Sequence, residues 1–145
     1  MAVEILHPPA TPFRGRRNDG SLVPAVRFGA TRVLFPGDVE RRGERVLLRT
    51  GMDLGATLLK VPHHGSATSS TKAFVEAVRP ILAIASLGAS NPWGFPARAV
   101  VDRYGGAGAS FGTTADWGEV VIETDGQLER VETCRPRMGA NRAGI

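Results

Sequence analysis

The stretch LLKVPHHGSATSS, residues 58–70, places two of the chain's three histidines side by side, after an apolar run and before a glycine and several hydroxyl residues. A packed core has little use for adjacent imidazoles followed by glycine, whereas a metal or phosphate site uses all of these groups. The apolar residues predict a short strand, and SSTKAFVEAVRP predicts a helix with hydroxyl caps. His63 and His64 are therefore expected in a loop between a strand and a helix.

The segments on either side continue this alternation. Upstream, AVEILH is a predicted strand, SLVPAVRFG and TRVLFPG form a predicted hairpin, and VERRGERVLLRTG is a predicted helix. Downstream come a buried strand (ILAIASLG), a helix (ARAVVDRYGG) and three further strands, the last two joined by a turn at Asp125–Gly126. Pro24 predicts that its strand lies at an edge or is bulged. The order predicts an α/β layer with helices covering one sheet face.

Composition limits the class of protein. The chain has 145 residues, 42% hydrophobic and 22% charged, which fits one globular domain. Neither a bilayer-spanning run nor a signal peptide is recognisable, so we expect a soluble chain, cytoplasmic by default. The single Cys134 excludes an internal disulfide and zinc sites built from several thiolates. The net charge of +4 modestly favours acidic partners such as nucleic acid, although charge runs usually mark solvent-exposed surfaces.

Asp38 follows Gly37 at the end of a predicted strand and has two interpretations. It is placed to be the N-cap of the next helix, which is a common role for aspartate. It is equally placed as a carboxylate at the carboxyl end of a strand, where α/β folds tend to bind ligands. The local sequence leaves both open.

Other polar and aromatic residues also carry alternatives. Ser66, Thr68, Ser69 and Ser70 cluster at a helix start, where they predict capping, an anion site at the helix N-terminus, or both. His7, before a proline, is more typical of a strand end than of a ligand. Trp93, in NPWGFP, is either a loop anchor or a stacking platform for a base, and the anchor is favoured.

The order of the motifs resembles a known family. The sequence contains, in order, Gly37–Asp38, HHGS, an apolar strand and N-x-[aromatic]-G-x-P. This order is similar to that in the C-terminal half of the metallo-β-lactamase-fold domain of ComEC-type competence proteins, which act in DNA uptake. The similarity runs approximately from Val3 to Arg135, and LLKVPHHGSATSS matches best. HHGS in that setting is fairly specific, whereas GD alone is not.

The resemblance implies an αββα sandwich with two divalent ions, usually zinc, with manganese as an alternative. Asp38 would bridge the ions, one of His63 and His64 would coordinate one of them, and the reaction would be metal-assisted hydrolysis of a phosphodiester. On this basis we assign catalysis to Asp38 and His64, metal binding to Asp38, His63 and His64, and substrate binding to Ser66, Ser69 and Asn91.

The chain also departs from the family. It has no H-x-H, so the family's H-x-H-x-D-H motif is missing, and Phe95 stands where the family often has a histidine. Zinc catalytic sites usually take about three protein ligands per ion. We therefore expect one sheet covered by helices: a partial domain over residues 1–135, with a flexible tail at 136–145. It would bind metal weakly and be incomplete as an enzyme.

Three functions stay open. The first is this partial hydrolase, with DNA, an N-terminal half-domain or a second copy as partner. The second is a non-catalytic basic module that binds nucleic acid or a partner half-domain. The third is a generic α/β domain in which HHGS is accidental. Metal content separates the first from the others, and salt-dependent DNA binding that survives chelation would favour the second.

Overall fold

The computed structural model describes residues 1–8 and 17–134. Its centre is a six-stranded sheet in the order β1–β2–β3–β4–β5–β6. The first three strands pair antiparallel, and β3 to β6 run parallel to one another. The α/β class expected from the sequence is therefore confirmed. The strands are β1 (Ala2–His7), β2 (Val23–Phe28), β3 (Thr31–Leu34), β4 (Leu58–Lys60), β5 (Leu82–Ala85) and β6 (Ser110–Thr113).

Helices join the parallel strands, because a parallel neighbour is reached only by a crossover. Helix α1 (Arg41–Arg49) joins β3 to β4, α2 (Lys72–Val78) joins β4 to β5, and α3 (Arg98–Gly106) joins β5 to β6. A one-turn helix, α4 (Thr114–Trp117), follows β6. Across the described ranges, every helix is too short or too polar to cross a bilayer. The predicted tail at 136–145 lies outside these ranges.

One face of the sheet forms the main core against the three crossover helices. Side chains alternate between the two faces along each strand, so every second strand residue points towards the helices. These strand residues meet apolar residues from all three helices in one buried cluster, which includes Ala25, Leu34, Leu59, Ala83, Leu47, Phe74, Val78, Val100 and Tyr104.

The second face of the sheet is partly covered by a hairpin of β7 (Val120–Thr124) and β8 (Glu129–Thr133). The backbone N–H of Ala30 donates to the Gly126 carbonyl at 2.6 Å, and this bond ties the hairpin turn to the sheet. A groove of about 320 Å³ remains between hairpin and sheet. The apolar residues that meet here are Trp117, Val120 and Ile122 on one side and Val33, Leu58, Leu82 and Ile84 on the other.

One sheet covered by helices on a single side would leave this second face open, but its β5 part is covered. Leu82 is only 9% exposed, because the hairpin and Trp117 pack over it. The β1–β2 part is open: Val3 is 59% exposed, Ile5 51% and Phe28 42%. Among the described residues, an exposed apolar patch of this face therefore lies on the first two strands.

Pro24 lies in an inner strand, so the edge interpretation was wrong. Strand β2 pairs with β1 on one side and β3 on the other. The irregularity lies in the neighbouring strand, because the register between β1 and β2 shifts between Ile5 and His7 of β1, next to the Ile5–Pro24 pair. An irregular ladder accommodates a residue without an N–H. The Pro24 carbonyl still accepts a hydrogen bond from Phe35.

Candidate functional site

A cleft of about 610 Å³ lies where the loops after β3, β4 and β5 meet at the carboxyl edge of the sheet. Open α/β sheets tend to bind ligands at this edge. The candidate metal ligands Asp38, His63 and His64 all border the cleft. The other lining residues come from the loop after β5 and are Ser86, Leu87, Gly88, Asn91, Trp93 and Phe95.

His63, His64 and Gly65 form a run of left-handed backbone, with φ of 47°, 55° and 86°. This conformation costs about 1–2 kcal/mol for a residue with a Cβ, so two adjacent non-glycine examples are held by their surroundings. The backbone at the two histidines is therefore a tight turn and not an extended strand. The rings stay apart, with centroids 6.5 Å from each other. Residues in such conformations cluster at functional sites.

Hydrogen bonds from the neighbouring loops hold this turn. The His63 N–H donates to the Gly37 carbonyl at 3.0 Å, and the Ala97 N–H donates to the Gly65 carbonyl at 2.8 Å. A Cβ on Gly65 would lie 2.6 Å from the Cβ of Pro96, so only glycine fits there. The GD, HHGS and NPWGFP motifs are thus joined by backbone contacts.

Asp38 and His64 approach each other directly in the cleft. Oδ1 of Asp38 lies 3.5 Å from Nε2 of His64, and both side chains are close to half exposed. Nδ1 of His64 lies 2.6 Å from the carbonyl oxygen of Ser86. A carbonyl only accepts, so Nδ1 carries a proton and donates it to Ser86, and Nε2 is the ring nitrogen that faces Asp38.

This arrangement fits two ligands of one divalent ion. Zinc–nitrogen and zinc–oxygen bonds of about 2.1 Å at a tetrahedral angle set two ligand atoms about 3.4 Å apart, close to the separation of Asp38 and His64. Ligating histidines usually donate their other N–H to a carbonyl or carboxylate, as His64 does to Ser86. Within residues 1–8 and 17–134, however, no group of three or more His, Cys, Asp or Glu could hold a metal. The donor set fits part of a coordination shell.

His63 is oriented by different partners. Its Nδ1 lies 3.4 Å from Oε1 of Glu40 and 3.5 Å from the hydroxyl of Thr68, which itself donates to Glu40. The edge of the His63 ring also meets the ring of Phe95, at a centroid distance of 5.9 Å. A carboxylate beside Nδ1 is a common second partner of a ligating histidine.

Asp38 is not the N-cap of α1, so that alternative was wrong. The cap residue is Glu40, and the carboxylate that serves the helix start belongs to Asp19. Oδ1 of Asp19 accepts from the N–H of Glu40 at 3.2 Å and of Gly43 at 2.8 Å. Because buried Asp19 satisfies these donors, the Asp38 carboxylate is left facing the cleft.

The hydroxyl cluster is turned into the loop that follows the histidines. Ser69 is fully buried and donates to the carbonyls of Pro62 and Ser66, and the Ser66 hydroxyl contacts that of Thr68. Neither Ser66 nor Ser69 borders the cleft. The side chain that caps α2 is that of Thr71. These hydroxyls hold the shape of the loop.

Asn91 borders the cleft, but its amide is occupied within its own loop. Oδ1 accepts from the Phe95 N–H at 2.8 Å, and Nδ2 donates to the Phe95 carbonyl at 2.9 Å and to that of Gly88 at 3.2 Å. The three sequence-predicted substrate residues therefore stabilise the loops of the site. Asp38, His63 and His64 all border the cleft, and of these Asp38 and His64 approach each other.

A buried carboxylate, that of Glu44, supports the loop from below. Its two oxygens accept the N–H groups of Ser70 and Thr71, and Arg103 donates to the Ser70 carbonyl. Burial raises the pKa of Glu44. The hydrogen bonds from Thr71 and Ser70 and the charge of Arg103 lower this pKa, but burial is the larger effect. Tyr104 donates its hydroxyl to the Ser70 hydroxyl, and burial raises the pKa of this tyrosine.

Sequence reasoning missed three groups near the site. Glu40 directly follows GDV and had been assigned only to a helix start. Lys60 ends β4, where burial lowers the pKa of its ammonium group and the charge of Asp38 opposes this shift. The carbonyl of Ser86 leaves no signal in a side-chain pattern, because any residue supplies it.

Comparison with known proteins gives relatives that are much longer than this chain. No family model matches. The uncharacterized protein YcaI of Escherichia coli is 32% identical over 133 residues, which are 91% of this chain and 18% of that protein. Recombination protein 2 of Haemophilus influenzae is 39% identical over 106 residues, 72% of this chain and 13% of that protein.

A further relative, competence protein ComA of Neisseria gonorrhoeae, is 39% identical over 87 residues, 59% of this chain and 13% of that protein. Homologues of this chain are competence-related proteins. The chain spans less than a fifth of the length of each of these relatives. The resemblance stated from the motifs is confirmed at this level.

Proposed function

We propose that the chain carries part of the site of a metal-dependent phosphodiesterase of the metallo-β-lactamase type, related to DNA uptake in competence. One observation carries the proposal: the Asp38 carboxylate faces Nε2 of His64, whose Nδ1–H is fixed by the Ser86 carbonyl. Such an oriented carboxylate–imidazole pair in an open cleft is suited to a divalent ion. The name of one relative, competence protein ComA, supports the biological context.

The residues of this chain would each have a defined task. Asp38 and His64 would hold the ion, Glu40 would orient His63 beside it, and Gly65 would keep the turn in its left-handed form. When bound, a zinc or manganese ion would supply Lewis-acid polarisation of a phosphoryl oxygen. The protein's contribution is to orient the ligands and to leave the cleft open to a phosphodiester.

The remaining ligands would come from outside this chain. Its three histidines include His7, which is fully buried at the end of β1 beside the Asp19 carbonyl. We propose that a half-domain bearing H-x-H-x-D-H packs on the open part of the sheet's second face and completes both the sandwich and the coordination shell. The open patch of Val3, Ile5 and Phe28 supports this arrangement, because burial of exposed apolar surface favours association.

Zinc calorimetry on the purified chain tests the metal site. We expect weak binding, because water fills most of a shell with only two or three protein ligands, and we expect Asp38→Ala and His64→Ala each to abolish it. Asp102→Ala is the matched control, since Asp102 lies on the exposed face of α3 in an ion pair with Arg98. Zinc binding that is tight and persists in an Asp38→Ala, His64→Ala double variant would overturn the assignment.

The same variants separate this function from a non-catalytic nucleic-acid module. Binding of DNA that survives chelation and is unchanged in the Asp38→Ala variant, in a chain that binds no zinc, would favour the module. The salt dependence of that binding would then report the number of phosphate contacts.

A further inference from the structure

Trp93 is an exposed aromatic side chain on the rim of the cleft. It is 72% exposed, although it borders the same cavity as Asp38, His63 and His64. The anchor interpretation favoured from the sequence is therefore wrong, because an anchoring indole would be buried. An exposed indole beside a cleft that also holds a carboxylate and two imidazoles is placed to contact a flat ligand.

The position of this indole is fixed by the loop that carries it. Asn91 bridges the backbone at Gly88 and Phe95, so the loop is closed on both sides of Trp93. The Trp93 ring stacks on Phe95, with centroids 6.3 Å apart and planes inclined by 22°. Phe95 in turn packs its ring against His63. The aromatic pair links the rim of the cleft to the metal-ligand candidates.

We propose that Trp93 is a stacking platform for an unpaired nucleobase of single-stranded DNA whose adjoining phosphodiester enters the cleft at Asp38 and His64. The position of the phosphodiester rests on the proposed function; the platform itself rests on the exposure and stacking of Trp93. Nucleotides combine an anionic backbone with a flat π surface, and the cleft offers ion-binding groups on its floor and an aromatic ring on its rim. Aromatic side chains in single-strand sites stack successive bases in this way.

The geometry favours unpaired over paired bases. In a duplex both faces of each base are covered by its neighbours, so an indole reaches a π face only after the bases unstack. Stacking also tolerates any base, because each has a π face. Trp93 would therefore favour single-stranded over double-stranded DNA without discriminating between base sequences.

Fluorescence titration tests the platform. The chain has two tryptophans, and Trp117 is only 6% exposed, so a ligand on the rim is expected to change mainly the emission of Trp93. The titrations use a single-stranded oligodeoxynucleotide, an abasic strand of equal length and a duplex, at low salt with chelator present. We expect saturable quenching with the base-bearing strand and much weaker binding of the other two.

Variants, measured by anisotropy of labelled strands, make the test specific. Trp93→Ala should weaken binding of the base-bearing strand about 5- to 100-fold and leave the abasic strand unchanged, while Trp93→Phe should retain most of the affinity. Leu128→Ala is the matched control, because Leu128 is 75% exposed on the hairpin. Far-UV circular dichroism checks that each variant is folded.

Two results would overturn the platform. One is an equal loss of affinity for base-bearing and abasic strands in Trp93→Ala; the other is no saturable binding of single strands. The test is independent of the proposed hydrolase, because chelator removes the metal. A Trp93 effect in a chain that binds no zinc would refute the metal site and leave the platform standing.

Discussion

The Asp38 carboxylate lies 3.5 Å from Nε2 of His64, and Nδ1 of the same ring lies 2.6 Å from the Ser86 carbonyl. Three loops, one after each of β3, β4 and β5, thus meet at a single imidazole. The loop after β4 reaches this point only through its left-handed turn. This turn therefore both strains the backbone of His63 and His64 and orients the His64 ring.

The first prediction concerns the tautomer of His64. In its neutral form the ring should carry its proton on Nδ1, because that atom faces a carbonyl that only accepts. His7 is an internal control with the opposite expectation, since its Nε2 lies 2.7 Å from the Asp19 carbonyl. Nitrogen-15 NMR that correlates ring nitrogens and carbons distinguishes the two tautomers. Zinc should perturb Nε2 of His64, and an Nε2–H tautomer there would contradict the metal-ligand role.

The second prediction compares two glycines of positive φ. Gly65→Ala should destabilise the chain by about 3 kcal/mol or more, because a left-handed alanine costs about 1–2 kcal/mol and its Cβ also collides with Pro96. Gly51→Ala, at φ 71° with open space around it, should cost only the conformational part. Urea unfolding of both variants measures the difference, and equal losses would mean that the loop after β5 moves away freely.

The third prediction concerns Glu44 and pH. Because burial raises the pKa of this carboxyl above its ordinary 4.5, the folded chain binds the proton more tightly than the unfolded chain. The resulting stabilisation is fully present below pH 4.5 and is lost as pH rises through the higher folded value. Glutamine at this position cannot titrate, so the stability of the wild type relative to Glu44→Gln should fall over that window.

Urea unfolding of wild type and Glu44→Gln across a pH series gives this comparison, with Glu76→Gln on the exposed face of α2 as control. A stability difference that does not change with pH would show that the pKa of Glu44 is the same in the folded and unfolded chains, and a difference that rises with pH would show that folding lowers it.

The fourth prediction concerns catalysis by the isolated chain. With two or three ligands it should show little or no phosphodiesterase activity on DNA, since too few groups fix the ion and share the developing charge. A partner half-domain bearing H-x-H-x-D-H should restore activity in trans, and His64→Ala should remove it again. Robust manganese-dependent cleavage by the chain alone, lost in His64→Ala, would contradict the incompleteness while supporting the hydrolase.

Much of the strand and helix order was readable because it depends on local periodicity and turn residues. The hairpin of β2 and β3 and the cap region of α2 followed from residues within a few positions of each other. The role of Asp38 was ambiguous because its competitor, Asp19, reaches the helix start from a distant turn. No local pattern shows which of two carboxylates caps a helix.

The misassigned parts of the site have a similar physical origin. The sequence predicted a loop at the two histidines but not its tight turn, because the turn depends on hydrogen bonds with Gly37 and Ala97 in other loops. The cover over Leu82 was missed, because a hairpin near the end of the chain folds back on the sheet. The exposure of Trp93 could not be predicted either. An aromatic residue in a loop rich in glycine and proline gives the same sequence pattern whether it faces the core or the solvent.

The last prediction concerns the open part of the second face. Val26 lies opposite Val3 on one side and Val33 on the other, so Val3 shares a face with the residue that packs beneath the hairpin. Ile5 continues this face, and burial of such surface is worth about 25 cal/mol per Å². The chain should therefore self-associate through β1 and β2, or bind hydrophobic dye where it stays monomeric.

Sizing, dye binding and near-UV circular dichroism at several concentrations measure this association. Ile5→Lys should weaken it, because a charge on the open face has to be desolvated when the face is covered. Leu128→Lys, at a residue that is 75% exposed on the hairpin, should leave it unchanged. A compact, cooperatively unfolding monomer that binds no dye would instead mean that the hairpin alone closes this face. The open patch would then no longer support a half-domain partner. If a separately produced half-domain with H-x-H-x-D-H suppresses both self-association and dye binding, then the patch that drives association is the surface that completes the metal site.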